Sequence, residues 1–90
     1  MTILHENWED IEKFSRELES FNAQLQENMQ RLNVYYSRMN ETWQDPAFIR
    51  FSQEYEQTIH MLKTFLRDAE LQIPPLRKRA AKLREIDEMR

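Results

Sequence analysis

Asn40-Glu41-Thr42-Trp43-Gln44-Asp45-Pro46 is the one obvious break between two long amphipathic patterns. Asp45 carries the short acceptor side chain of a helix N-cap. Pro46 suits the first helical position, where its fixed φ is preorganised and its missing N–H has no intrahelical partner to lose. The connection is therefore very short, and two helices joined so briefly must lie antiparallel. Trp43 sits at the tip of the resulting hairpin, where it can plug the end of the core with its indole N–H near water or present itself to a partner.

Upstream of the break, apolar residues recur at spacings of three and four: Ile11, Phe14, Leu18, Phe21, Leu25, Leu32, Tyr35 and Met39. That is a heptad seam. Asn28 is its one polar interruption, a place where an Asn can fix register between helices or simply sit near solvent, with Met29 turning partly inward. Of the adjacent Tyr35 and Tyr36, only one can face the seam squarely. Asn7 is an N-cap candidate, followed by Glu9 and Asp10 where acidic groups suit the positive end of the helix dipole, so the first helix is predicted to begin near Trp8. Downstream, Phe48, Tyr55, Ile59, Leu62, Leu66, Ala69, Ile73, Leu76, Ala80 and Leu83 form a second stripe, widened by Phe51 and Phe65. Pro74-Pro75 removes two backbone donors and disfavours α geometry just before it, which predicts a kink or break. A kink is the better fit, since the apolar phase runs on to Leu83; the alternative is a frayed C-terminus. The expected fold is all-α: one domain over residues 1–90, an antiparallel hairpin of helices at about 8–42 and 46–88.

Composition agrees with helices. There is no Gly and no Cys, only three Pro, and 32% of residues are charged. This lacks the usual punctuation of hairpin strands and gives neither a disulfide framework nor a thiolate. Met1-Thr2-Ile3-Leu4-His5-Glu6-Asn7-Trp8 shows no basic leader with an apolar core, so no cleavable signal peptide is expected. No run approaches the roughly 20 apolar residues that span a bilayer, and mean hydropathy is −0.88. Membrane insertion is not expected; the location is cytoplasmic, or secreted without a cleavable leader.

Charge supports the antiparallel pairing independently. Residues 1–20 hold Glu6, Glu9, Asp10, Glu12, Glu17 and Glu19 against Lys13 and Arg16, whereas residues 76–90 hold Arg77, Lys78, Arg79, Lys82, Arg84 and Arg90 against three acids. Folding back at Trp43 sets these ends side by side, and exposed pairs of about 0.2–1 kcal/mol each favour that orientation without driving folding. The basic segment Arg77–Arg84 is not read as a nucleic-acid site: net charge is −3, no aromatic interleaves with the cations for base stacking, and the acidic end of the first helix is placed to neutralise them.

Nothing in the spacing supports catalysis or a cofactor. His5 and His60 are far apart, and Glu56 and His60 make a single Glu-x-x-x-His turn with no repeat of the kind di-metal bundles use. Phosphate loop, Cys nucleophile and Ser/His/acid arrangement are all missing. No enzyme, metal or cofactor is expected.

A chain this short buries a modest fraction of its surface. Its aromatic stripe is wider than a two-helix seam needs, so a second copy is expected to cover it, giving a two-fold four-helix bundle. The residues expected at that interface are Phe14, Leu18, Phe21, Leu25, Leu32, Phe48, Phe51, Tyr55, Ile59, Leu62 and Phe65.

The layout of about ninety residues, two long helices and a Trp-x-small-residue turn resembles the WXG family of helical hairpins, the early secreted antigenic target type. The motif residues are Trp43, Asp45 and Pro46, with Asp45 where the family has Gly, as in its more divergent relatives. Exported members tend to carry Tyr-x-x-x-Asp/Glu after the second helix; Leu83-Arg84-Glu85-Ile86-Asp87 keeps only the acidic half. The resemblance implies a non-enzymatic protein secreted by, or associated with, a type VII (ESX)-like system. It would act as a dimeric effector or adaptor, as a homodimer or paired with a related hairpin or a larger secreted substrate. The alternative is a cytoplasmic hairpin scaffold or chaperone that binds an unrelated chain.

Overall fold

The computed structural model describes residues 7–89. Two helices, α1 (Trp8–Thr42) and α2 (Pro46–Glu88), make up almost all of it, at the boundaries read from the sequence. His5, Glu6 and Arg90 lie outside the described residues.

Both predicted caps form. The Asn7 side chain accepts from the Glu9 N–H at 2.9 Å, and the Asp45 carboxylate accepts from the Phe48 N–H at 2.9 Å. Each satisfies one donor that the first helical turn leaves without a partner. The turn between the helices needs no left-handed residue: Trp43 has φ −106°, ψ 116° and Asp45 has φ −88°, ψ 168°. Asp is therefore as comfortable here as Gly, and it adds a cap that Gly cannot. Helix α1 ends when the Trp43 N–H donates to the Met39 carbonyl at 2.9 Å.

The helices pack along a seam with regular three-four spacing. On α2 it runs Phe48, Ser52, Tyr55, Ile59, Leu62, Leu66, Ala69, Ile73, Leu76, Ala80 and Leu83, all buried or half-buried, which adds only Ser52 to the predicted stripe. On α1 the inner residues are Trp8, Ile11, Ser15, Leu18, Asn22, Leu25, Met29, Tyr36 and Met39. This differs from the sequence reading. Phe14, Phe21, Asn28 and Tyr35 point away from the seam, and the neighbours Ser15, Asn22, Met29 and Tyr36 take their places. The buried polar residue is Asn22, not Asn28.

Large side chains at the two ends of α1 hold this face inward: Tyr36 stacks on Tyr55 at 4.1 Å and on Phe48 at 6.0 Å, and the Trp8 Nε1 donates to Asp87 at 3.3 Å. Ser15, Asn22 and Met29 lie on the same face between them. The Arg77–Glu19 ion pair at 2.8 Å ties the free ends together from the side. Ser15 is 0% exposed, and its hydroxyl donates to the Glu12 carbonyl at 2.7 Å within its own helix.

Pro74 and Pro75 lie inside α2, which continues through them without a break. Both are on the exposed side of the helix, so the carbonyls of Glu70 and Leu71 that lose their helical donors can turn to water. The segment beyond them packs instead of fraying: Ile73 and Ala80 are buried and Leu76 and Leu83 half-buried. The free end is clasped by Trp8, over whose ring the Arg84 guanidinium sits at 5.2 Å.

The molecule is a rod of 67 × 27 × 15 Å with a radius of gyration of 20.0 Å, whereas a compact domain of this length has about 12 Å. It exposes 7775 Å², about a third more than the roughly 5,700 Å² of a compact monomer of its mass. Among the described residues the buried apolar side chains are Met29, Phe48, Leu66, Ala69, Ile73 and Ala80. Among the described residues, one two-helix seam makes up the core.

Candidate functional site

Labelling the inner positions of both helices a and d shows that the two flanks of the hairpin differ in chemistry. In an antiparallel pair the e positions of both helices share one flank and the g positions share the other. The e flank is polar. It carries Glu12, Glu19, Gln26 and Asn33 from α1 and Glu56, Lys63, Glu70, Arg77 and Arg84 from α2, and it contains the Arg77–Glu19 pair. It holds an open groove of about 470 Å³ between Gln26, Met29, Asn33, Lys63, Leu66 and Glu70, among others.

The g flank is aromatic. Helix α1 contributes Phe14, Phe21, Asn28 and Tyr35, and α2 contributes Phe51, Thr58, Phe65, Gln72, Arg79 and Ile86. Phe14 is 57% exposed, Phe21 51%, Leu32 52% and Phe65 45%. The Phe21 and Phe65 rings meet edge to face with centroids 6.2 Å apart, bridging the two helices across this flank. Leaving large side chains half in water forgoes roughly 25 cal/mol for each Å² of apolar surface, and a contiguous patch of this kind marks a binding surface more often than chance.

The d residues Leu18, Leu25 and Met39 belong to two ladders at once. With positions a they form the inner seam; with Phe14, Phe21, Asn28, Leu32 and Tyr35 they form the ladder read from the sequence. Helix α1 therefore has two apolar faces, and it turns the one with Ser15 and Asn22 to α2 and the richer one outward. Of the residues expected to cover an interface, Phe14, Phe21, Leu32, Phe51 and Phe65 are exposed on or beside this flank. Leu18, Leu25, Tyr55, Ile59 and Leu62 are half-buried in the seam. Phe48 is buried inside the hairpin, where it serves the intramolecular core.

At the tip the aromatics form a continuous stack. Trp43 packs on Phe48 at 5.0 Å, Phe48 on Tyr36 at 6.0 Å, Tyr36 on Tyr55 at 4.1 Å and Tyr55 on Phe51 at 5.9 Å. Trp43 remains 37% exposed, so it covers the core end and still offers an edge to solvent. A hydrogen bond from the Trp43 side chain, then those from the Phe48 and Ala47 N–H groups, hold the Asp45 carboxyl below the usual carboxylate range. Burial pushes the Tyr55 hydroxyl up, with Tyr36 adding to it. Among the described residues, four buried side-chain polar atoms have no protein partner: Asn22 Nδ2 and Oδ1, Ser52 Oγ and Tyr55 Oη.

Glu56 and His60 share a shallow surface depression with Gln53, Gln57 and Met61, and among the described residues no three His, Cys, Asp or Glu side chains gather as a metal ion would require. Among them, too, no helix is long and apolar enough to cross a membrane. In comparisons with known proteins, no family model matches the chain, and neither does any curated protein or solved structure.

Proposed function

We propose that this chain is a non-enzymatic, WXG-like interaction module that works as a homodimeric four-helix bundle, secreted by or associated with a type VII-like secretion system as effector or adaptor. The observation that carries the reading is the exposed flank of Phe14, Phe21, Tyr35, Phe51 and Phe65 on a hairpin whose opposite flank is charged. A single stripe of this width suits one partner layer, and closing it with a second hairpin buries on each side an area comparable to the roughly 800 Å² of a standard interface.

Sedimentation equilibrium tests the assembly. The wild-type chain is expected at twice its mass of 11.1 kDa at micromolar concentration. Phe21→Asp is expected to be monomeric with unchanged helical circular dichroism, because Phe21 lies outside the intramolecular seam and an unpaired carboxylate cannot be buried under a partner. A wild-type monomer sinks the dimer. The secretion half is tested by fractionation: the chain should reach the medium only when the secretion machine is intact, and retention in cells of both genotypes contradicts it. Recovery of a 1:1 complex with an unrelated chain in place of the homodimer would turn the reading to a cytoplasmic scaffold or chaperone.

A further inference from the structure

We infer that the polar flank is a second binding surface: a groove for an extended peptide whose acidic side chains, two residues apart, meet Lys63 and Arg67. The groove lies on the flank that a second hairpin leaves open, so its occupancy does not depend on the homodimer.

The open groove of about 470 Å³ beside Gln26 and Glu70 runs on toward the tip into a smaller depression of about 260 Å³. Asn33, Ile59 and Lys63 line both. From Gln26 to Tyr36 the two span about 15 Å of α1, the length of four or five extended residues. The floor is apolar, with Met29 and Leu66 buried and Ile59 half-buried. The α1 wall is a row of side-chain amides, Gln26, Gln30 and Asn33, and between Glu19 and the tip no e or b position of α1 is charged. Among the described residues these three amides make no hydrogen bond within the chain. Each offers a donor and an acceptor together. That is what the backbone of an extended chain leaves unpaired and what a helix has already satisfied within itself, so the wall suits a strand-like occupant over a third helix.

The α2 wall supplies the charge. Lys63 and Arg67 are exposed and one helical turn apart, and among the described residues neither meets a carboxylate at ion-pair distance. The free end of the same hairpin is different: Arg16 holds Glu12 at 2.9 Å, Arg77 holds Glu19 at 2.8 Å and Arg84 holds Glu88 at 2.9 Å. Four residues of helix rise about 6 Å, and residues i and i+2 of a strand, whose side chains share a face, are about 6.6 Å apart. A Glu-x-Glu segment laid along the groove therefore meets Lys63 and Arg67 in turn, with the intervening side chain turned down onto Ile59 and Leu66. Glu56 and Glu70 stand about 10 Å to either side of Lys63 along the axis, one heptad each way. A peptide can carry acids at its middle and none at its ends. A nucleic-acid strand, charged at every nucleotide, cannot, so the charge pattern selects a polypeptide.

Fluorescence anisotropy on the full chain tests this with a fluorescein-labelled heptapeptide, Ser-Leu-Glu-Leu-Glu-Leu-Ser. Saturable binding with a Kd below about 1 mM is expected. The isomer with adjacent acids, Ser-Leu-Leu-Glu-Glu-Leu-Ser, should bind about fivefold more weakly, and a peptide with Lys in place of both Glu at least about tenfold more weakly. Lys63→Glu/Arg67→Glu should reverse the preference between the Glu and Lys peptides with helical circular dichroism unchanged, a swap that partial unfolding cannot imitate. Gln30→Ala/Asn33→Ala should raise the Kd about threefold or more through lost backbone contacts. Phe21→Asp, on the opposite flank, should bind the Glu peptide as wild type does. A chain that is monomeric and still binds the peptide removes the homodimer and leaves the groove standing. No saturation by 1 mM, equal binding of the three peptides, equal binding of a short oligothymidylate, or indifference to the charge reversal overturns the groove. Loss of binding in Phe21→Asp overturns it too, because the peptide then sits on the aromatic flank.

Discussion

Asn22→Leu should stabilise this protein. Asn22 is 3% exposed, sits on the inner seam, and neither its Nδ2 nor its Oδ1 meets a protein partner. An amide buried without hydrogen bonds costs about 1–3 kcal/mol by protein mutational data. Leu has the same branching at Cγ, removes both polar atoms and adds apolar contact next to Ala69. Some of the gain is offset by the larger volume, since overpacking costs about 1–3 kcal/mol in a tight core. The small Ala69 side chain leaves space that limits this. A net gain of about 1–2 kcal/mol corresponds to a rise in Tm of about 4–16 °C for a chain of this size. Asn28→Leu is the control: Asn28 is exposed, so in the single chain its change should stay within about 0.5 kcal/mol. Both are measured by thermal circular dichroism at several protein concentrations, which separates folding from association. A lower Tm for Asn22→Leu would mean that the amide has a hydrogen-bonding role in the native assembly, and the packing argument would fail.

Other expectations follow from the tip and the free end. Asp45→Ala should cost about 1 kcal/mol through loss of the N-cap, read as a lower midpoint in urea. Because the folded-state pKa of Asp45 is lowered, its stabilisation is fully present above the ordinary carboxylate pKa and fades as pH falls through the folded value. The difference between wild type and Asp45→Asn should therefore shrink on acidification, and a constant difference from neutral to strongly acid pH would contradict it. Trp43→Ala should speed amide hydrogen exchange in residues around Tyr36 and Phe48 while leaving those around Ala69 and Ile73 unchanged; uniform acceleration along both helices would argue against a local plug. Arg77→Ala should cost at most about 1 kcal/mol, since the Arg77–Glu19 pair is exposed at both ends. A loss of several kcal/mol would mean that charge, not the apolar seam, holds the free end.

The sequence alone determined the two helices and their ends. Asn7, Asp45 and Pro46 are local signals whose effect depends on the nearest few backbone donors, and the three-four spacing of α2 from Tyr55 onward named its buried face, with Phe48 before it and Ser52 alone missed. The antiparallel arrangement was equally legible, because a three-residue connection permits no other. What the tertiary structure decided was the rotation of α1 about its own axis. Phe14, Phe21 and Tyr35 make the stronger apolar ladder, yet the contacts of Trp8 with Asp87 and of Tyr36 with Phe48 and Tyr55 turn the face with Ser15 and Asn22 inward and leave the aromatics outside. Hydrophobic periodicity reports that a face is apolar, not which neighbour will cover it; that choice rests on contacts with residues distant in sequence, here Phe48, Tyr55 and Asp87 on the other helix. The same rotation converts a stripe that looked like one wide seam into two, one closing the hairpin and one left open.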